Sequence, residues 1–199
     1  MSEILESLFG SKERARLLRF FLQNPDQEYA YAEIVRRNMF RGSVKSEVEK
    51  LRKIKFILRH SKRGQISYML NQSFSFYSEL KNLISKSNIY PQCKSLANIS
   101  KVGNIKLAAI SGVFINYNKS KADMIIVGDD IRRAKLKNLM SSLEAEIGRE
   151  IDFVLMSGEE FKYRLNMVDK FILDFLEGPH EELINKITGL KHLIIKRNK

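Results

Sequence analysis

The chain has 199 residues, 44% of them hydrophobic, and a formal net charge of +12. This length suits one large domain or two small ones, and the hydrophobic content argues against a disordered chain. The single cysteine, Cys93, excludes an internal disulfide and a multi-cysteine zinc site, and no apolar run reaches the roughly 18 residues of a membrane span.

The basic surplus lies mainly in the first half of the chain. Residues 1–100 carry 18 Lys and Arg against 9 Asp and Glu, whereas residues 101–199 carry 17 against 14. An uneven surplus of this kind is typical of a protein that binds phosphate, and it favours duplex DNA over RNA or an anionic membrane surface. Glu3 and Glu6 do not fit a secretory leader, and a single cysteine suits a reduced compartment. A cytoplasmic location without a membrane partner is therefore expected.

Residues 11–53 predict three successive helices. Ser11 is the expected N-cap of the first, which should end at the Asn24-Pro25-Asp26 sequence. A short second helix is predicted over residues 31–38. The third is predicted from about residue 40 to residue 53, because Val44, Val48 and Leu51 recur at spacings of four and three.

This third helix would present a polar surface at its N-terminal end. The exposed positions carry cationic, hydroxyl and small side chains, namely Arg41, Gly42, Ser43, Lys45 and Ser46. Arginine and lysine pair with guanine edges or phosphates, and serine can contact either, so these residues are predicted to bind DNA in the major groove.

Two β-prone runs, residues 56–60 and 66–70, flank a turn that contains Gly64, which predicts a hairpin. Lys62 and Arg63 at its tip are candidate contacts for the DNA backbone or minor groove, and His60 is a candidate neighbour of the DNA. The alternatives are that these charges form an ordinary solvated face, or that the module docks a protein.

A further helix is predicted over residues 78–86, with Leu80, Leu83 and Ile84 facing inward. It could pair two subunits or simply pack on its own module. The segment that follows is rich in Ser, Asn and Lys, which predicts a linker over residues 88–104. Cys93 within this linker is interpreted as a spare thiol.

From residue 105 onward, strands and helices alternate, which predicts an α/β domain. Strands are expected over residues 105–110, 123–129 and 150–156, with helices over 131–147, from 157 and over 167–176. The apolar face of the last helix, Ile172, Leu173, Phe175 and Leu176, is either core or a docking surface. His180 stands alone and is not expected to bind a metal.

The whole pattern resembles a winged helix-turn-helix regulator fused to a minimal nucleotidyltransferase domain. The resemblance covers about residues 10–185 and rests on the order and spacing of several short segments. These segments are residues 41–51, 70–80, 110–112, 122–129, 147–151, 159–161 and 176–179. In working members of that family a Gly-Ser pair holds the nucleotide phosphates, and three strand carboxylates hold a divalent metal.

The chain departs from that family pattern. At the position of the Gly-Ser pair it has the reversed order, Ser111-Gly112. Lys121 stands at the first carboxylate position. Asp123 matches the second carboxylate position, and Asp152 falls near the third. An ammonium group in a ligand position repels Mg²⁺. The resemblance therefore implies a domain with no catalytic residues and no metal site, in which Ser111, Gly112, Lys121, Asp123 and Asp152 could still hold a nucleotide effector.

We therefore predict an α+β or α/β protein of two domains. The expected division is a winged helix-turn-helix over residues 1–87, a linker over 88–104, a nucleotidyltransferase-like domain over 105–190 and a basic tail over 191–199. The predicted function is a non-enzymatic transcriptional regulator that binds duplex DNA as a homodimer and uses its second domain for effector binding or oligomerisation.

Two other functions are left open by the sequence. One is an active, metal-dependent nucleotidyltransferase that modifies a partner protein or RNA, as antitoxin-like relatives do, using a shifted carboxylate at Asp129 or Asp130. The other is an adaptor that binds proteins through both domains. For Asp123 and Asp152 the competing interpretation is structural, with each carboxylate bonded to backbone or to a lysine.

Overall fold

The computed structural model describes residues 2–86 and 93–188, with the side chains of residues 2–4, 85 and 86 left out of the description. The chain forms two compact units. The first comprises Met1–Asn88 and Ser141–Glu150, and the second comprises Ile89–Met140 and Ile151–Lys199. The protein belongs to the α+β class, because helices are combined with two separate small sheets.

The first unit contains five helices and a small sheet among its described residues. Its elements are α1 (Ser2–Phe9), α2 (Lys12–Gln23), β1 (Tyr29–Ala30), α3 (Tyr31–Arg37), α4 (Lys45–Lys53), β2 (Ile57–Lys62), β3 (Gln65–Leu70) and α5 (Tyr77–Lys86). The Ser11 hydroxyl caps α2 by accepting a hydrogen bond from the Arg14 amide, as predicted. The apolar residues of α2, including Leu17 and Phe21, are buried in the core of this unit.

The hairpin is formed as predicted and completes a three-stranded antiparallel sheet in the order β1-β3-β2. Lys62 pairs with Gln65, which leaves Arg63 and Gly64 as a two-residue turn. Both turn residues have positive φ, 52° and 79°. Positive φ at both central positions is the requirement of a type I′ turn, and glycine at the second position meets it without strain.

Two details of the helices differ from the prediction. Helix α4 begins at Lys45 rather than near residue 40, so that Arg41 to Val44 form a non-helical segment before it. In α5, Ile84 is buried but Leu83, predicted to face inward, is 39% exposed. Leu80 and Ile84 are four residues apart and therefore lie on the same side of α5, which packs against the core. Leu83 lies beside this side of the helix and is partly exposed.

The stretch 141–150 completes the first unit with polar contacts to α2 and α3. Arg19, only 8% exposed, donates a hydrogen bond to the carbonyl of Glu146. The Asn24 amide donates to the carbonyl of Gly148 at 2.6 Å. Arg37 forms ion pairs with Glu33 and, at 2.7 Å, with Glu150.

The second unit is built on a four-stranded sheet. Its elements are a 3₁₀ helix (Lys94–Lys101), β4 (Asn104–Ile110), a short 3₁₀ turn (Gly112–Phe114), β5 (Met124–Asp129), α6 (Arg133–Ile147, which continues into the first unit), β6 (Phe153–Met156), α7 (Gly158–Asn166), α8 (Lys170–Glu177) and β7 (Glu181–Asn185). The strand order is β6-β5-β4-β7. Only β5 and β6 are parallel, and α6 connects them along the chain, whereas β4 runs antiparallel to both β5 and β7.

Several expectations for this unit are settled by its core. Three of the four apolar residues named on α8, Ile172, Phe175 and Leu176, are buried in the core, and Leu173 is half-buried and packs against it. Part of the predicted linker is ordered as the 3₁₀ helix, which buries Leu96 and Ile99. Cys93, just before it, is also buried. The basic tail, residues 191–199, lies outside the described residues.

Candidate functional site

The polar segment before α4 is exposed at every predicted contact position. Arg41, Gly42 and Ser43 lie in the non-helical segment, and Lys45 and Ser46 open the first turn of the helix. Between them Val44 is buried, only 4% exposed, and anchors the segment to the core. The structure thus brings together in one short stretch the five residues that the sequence singled out.

A tyrosine from α3, which the sequence did not single out, fixes this segment. The hydroxyl oxygen of Tyr31 accepts a hydrogen bond from the backbone N–H of Val44 at 3.1 Å. The same oxygen lies 3.5 Å from the Ser43 hydroxyl. Val44 is the N-cap residue of α4 and has no side-chain oxygen with which to cap the helix. The phenol therefore supplies a polar partner for the Val44 amide at the start of α4, next to the Ser43 hydroxyl, which accepts a long hydrogen bond of 3.4 Å from the Lys45 amide.

An ion-pair network fixes the body of α4. Glu47 pairs with Arg14 of α2 at 2.8 Å and with Lys50 at 2.6 Å. Its side chain is only 15% exposed. The hydrogen bond from Arg14, followed by that from Lys50, holds the pKa of the Glu47 carboxyl below its ordinary value. The charged carboxylate thus links the two helices and orients the exposed face of α4 relative to α2.

At the hairpin tip Lys62 and Arg63 are both exposed. Among the described side chains, no carboxylate forms an ion pair with these two or with Arg41 and Lys45, although the hydrogen bond from His60 and, to a smaller extent, the charge of Lys62 lower the pKa of the nearby Glu28 carboxyl. Other cations of the same unit, such as Arg14 and Arg52, are paired. Exposed cations without an acidic partner can meet a phosphate without first breaking an existing ion pair.

His60, the remaining predicted DNA neighbour, has an acidic partner. Its Nδ1 lies 2.9 Å from a carboxylate oxygen of Glu28, and the other oxygen of Glu28 accepts a hydrogen bond from the Ser67 hydroxyl at 2.8 Å. The bonds from His60, then Ser67, lower the pKa of the Glu28 carboxyl. One ring nitrogen of His60 is therefore occupied within the protein, and the hairpin face near it carries a negative charge that the sequence analysis missed.

In the second unit three of the five residues predicted to hold a nucleotide are closed off. Ser111, Gly112 and Asp123 are buried. The Asp123 carboxylate accepts backbone hydrogen bonds from Val113 at 2.8 Å and from Asp152 at 2.9 Å. The Ser111 hydroxyl donates to the carbonyl of Pro179 at 2.7 Å. These polar groups already have partners within the fold.

The Asp123 carboxylate leaves no space for a side chain at Gly112. The φ of this glycine is +49°, and a Cβ atom at this position would overlap Oδ1 of Asp123. The chain reversal after β4 therefore requires glycine for both its conformation and its space. Asp152 contributes its backbone amide to the arrangement, while its side chain is exposed.

Lys121 stands apart from this closed arrangement. It forms an exposed ion pair with Asp174 at 3.1 Å. Both line a pocket of about 360 Å³ whose walls also include the rings of Tyr117 and Phe171 and the exposed Lys119. Of the five predicted nucleotide-contact residues, only Lys121 lines this pocket.

Of the two shifted carboxylates, Asp129 already has partners within the second unit, while Asp130 is exposed. Asp129 pairs with Lys106 at 2.5 Å and accepts a hydrogen bond from the Gly158 amide at 3.1 Å. The hydrogen bond from Lys106, then that from Gly158, lowers the pKa of the Asp129 carboxyl. Within the described part of the chain, no group of three or more His, Cys, Asp or Glu side chains is placed to hold a metal ion.

No helix among the described residues combines the length and apolar character needed to cross a bilayer. Compared with protein-family models, with curated proteins and with solved structures, the chain matches none. Function is therefore inferred from the geometry and charge of the sites themselves.

Proposed function

We propose that the first unit is a winged helix-turn-helix module that binds duplex DNA, with α4 as the recognition helix and the β2–β3 hairpin as the wing. The observation that carries the proposal is the exposure of two cationic groups without acidic partners among the described residues. One group is Arg41 and Lys45 at the start of α4, and the other is Lys62 and Arg63 at the hairpin tip.

The order of elements supports this assignment. Helices α2, α3 and α4 precede a two-stranded hairpin, and α4 buries Val48 and Leu51 while its N-terminal turn is exposed. A recognition helix uses the residues at its N-terminal end to contact base edges, and a wing contacts the adjacent backbone or minor groove. Ser43 and Ser46 add hydroxyl groups that can bond to a base edge or a phosphate.

We further propose that the protein regulates transcription as a homodimer. Two-fold dimers match the symmetry of paired DNA half-sites. Helix α5, which follows the hairpin, is the candidate pairing element because Leu83 is 39% exposed on it. Analytical ultracentrifugation of the full chain tests this part, and a monomer at DNA-binding concentrations would exclude it.

For the second unit we propose a non-catalytic, nucleotidyltransferase-like domain that binds a nucleotide as an effector. The supporting observation is that Lys121 lines an open pocket beside the rings of Tyr117 and Phe171, while the Asp123 carboxylate is bonded to backbone amides. Calorimetric titration with ATP or GTP, with and without Mg²⁺, tests the effector. No heat in any of these titrations would reject it. Transfer of label from labelled ATP with Mg²⁺ would instead support the enzyme alternative.

The DNA-binding proposal is tested by selecting bound fragments from random duplex DNA and then measuring affinity for the selected site at several salt concentrations. Replacing Lys62 and Arg63 together with alanine should weaken binding to all sequences. Each phosphate that is no longer neutralised should reduce the slope of log K against log[salt] by about 0.9. Replacing Arg41 and Lys45 should in addition reduce the preference for the selected site, at about 1–3 kcal/mol for each base that is no longer recognised.

The matched control replaces two exposed lysines of the second unit, Lys162 and Lys170, which removes the same charge elsewhere. This control should keep the site preference and nearly the same salt slope. If the wild-type protein retards no duplex DNA even at low salt, the proposal fails, and the adaptor function is then favoured.

A further inference from the structure

The segment that carries Arg41 and Ser43 has little secondary structure of its own to hold it. It lies outside α4, and a Cβ added at Gly42 would meet no atom within 4 Å, so that this part of the segment stands in open space. It is held by the buried side chain of Val44, by the hydrogen bond from the Val44 amide to the Tyr31 hydroxyl at 3.1 Å, and by a longer one from the Lys45 amide to the Ser43 hydroxyl at 3.4 Å.

We infer that Tyr31 is a positioning residue for DNA recognition, and this inference rests on the proposed function. Its hydroxyl determines where the 41–44 segment leaves the core and therefore where the side chains of Arg41 and Ser43 lie relative to α4. A bidentate contact to a base edge depends on accurate placement of the donor groups, so a change at the start of α4 alters base recognition more than phosphate binding.

The position of Tyr31 in the fold explains how it can hold the 41–44 segment although it is distant in sequence. It is the first residue of α3, thirteen positions before Val44, and its ring packs against the core of the first unit. A ring held in this way presents its hydroxyl at a fixed point. The same oxygen lies 3.5 Å from the Ser43 hydroxyl, so that one phenol is near both the backbone and a proposed contact residue of the segment.

The test is the Tyr31→Phe variant in the full chain, which keeps the ring and removes only the hydroxyl. Affinity for the selected DNA site should fall about fivefold, the effect of removing one hydrogen bond at a buried amide. Preference for that site over random duplex should fall with it. The salt slope should stay unchanged, because no cation has been removed. Amide exchange at Val44 in the free protein should become faster.

The control is Tyr163→Phe, the same chemical change at an exposed tyrosine of α7, which should alter none of these quantities. Ser43→Ala should lower site preference in the wild-type background and lower it less in the Tyr31→Phe background, since both changes act on one segment. A purely structural role would change stability without this coupling.

The outcomes separate the two proposals. If the wild-type protein binds duplex DNA and Tyr31→Phe equals it in affinity and site preference, the positioning role is overturned and DNA binding stands. If the wild-type protein binds no duplex DNA, the proposed function fails and the recognition role of Tyr31 fails with it, whatever the exchange rate at Val44.

Discussion

Replacing Asp123 distinguishes a structural carboxylate from a retained catalytic one. Asp123 is 7% exposed and accepts hydrogen bonds from the amides of Val113 and Asp152. Asp123→Ala leaves both donors without that acceptor. A buried unsatisfied group costs about 1–3 kcal/mol, and the Asp152 amide is only part-buried, so the expected loss in unfolding free energy is about 3 kcal/mol.

Urea denaturation followed by circular dichroism measures this loss. With a slope of about 2 kcal/mol per molar of urea, a loss of about 3 kcal/mol lowers the midpoint by about 1.5 M. Amide exchange in β4 and β5 should locate the loss in the second unit. The matched control is Asp152→Ala, which removes an exposed carboxylate and should change stability by less than about 0.5 kcal/mol.

The reasoning is refuted if Asp123→Ala leaves the midpoint unchanged or raises it. Carboxylates kept for catalysis or ligand binding are often held at a cost in stability, and their removal then stabilises the fold. Equal effects of the two variants would also contradict the assignment, because only Asp123 accepts the two backbone hydrogen bonds through its side chain.

Two further changes test other parts of the structure. Gly112→Ala should destabilise the second unit by more than about 2 kcal/mol by thermal melting, since its Cβ would overlap Asp123 in a left-handed backbone, whereas Gly42→Ala should be nearly neutral for folding. Glu47→Gln should cost the first unit about 1 kcal/mol at neutral pH. The pKa of Glu47 is lowered in the folded state, so its contribution to the unfolding free energy is present above the ordinary value of 4.5 and is lost as the pH falls below it. The difference from wild type should therefore shrink as the pH falls below 4.5, and a constant difference would be inconsistent with the Arg14–Glu47 pair.

Local patterns predicted the elements whose causes are local. The hairpin was predictable because its β-prone runs flank Gly64, and α2 because Ser11 caps it and its apolar residues recur at helical spacing. The buried strands β4 and β5 were predictable from continuous apolar runs. In each case the residues that determine the structure lie within about ten positions of one another.

The prediction was wrong at positions whose structure depends on contacts with residues far away in the sequence. Helix α4 starts at Lys45, and just before it the Val44 amide donates a hydrogen bond to the Tyr31 hydroxyl, a contact that the spacing of apolar residues does not reveal. Strand β7, Glu181–Asn185, was missed because it starts with two glutamates and is stabilised by pairing with β4. The 3₁₀ helix at residues 94–101 was taken for linker because its two buried residues, Leu96 and Ile99, stand among polar ones.

The candidate sites also contain features that local sequence predicted and features that depend on distant residues. The exposure of Lys45 followed from the helical periodicity of Val44, Val48 and Leu51, whereas Arg41 is exposed in a non-helical segment to which that periodicity does not apply. The acidic partner of His60 could not be foreseen, since Glu28 lies 32 positions away. For Asp123 the structural interpretation left open by the sequence is confirmed, since its carboxylate is bonded to backbone, but the sequence did not identify the donor at Asp152, 29 positions further along.

The passage of α6 from one unit into the other has a practical consequence for dissecting the protein. Residues 141–150 supply carbonyl acceptors for Arg19 and Asn24, although they are separated from them by more than a hundred positions. A truncated gene that stops near codon 88 would encode a polypeptide missing part of its own interior, with a nearly buried guanidinium deprived of an acceptor. Because the first unit is made of two separate stretches of the chain, an activity should be assigned to either unit by point mutations in the full-length protein rather than by isolated fragments.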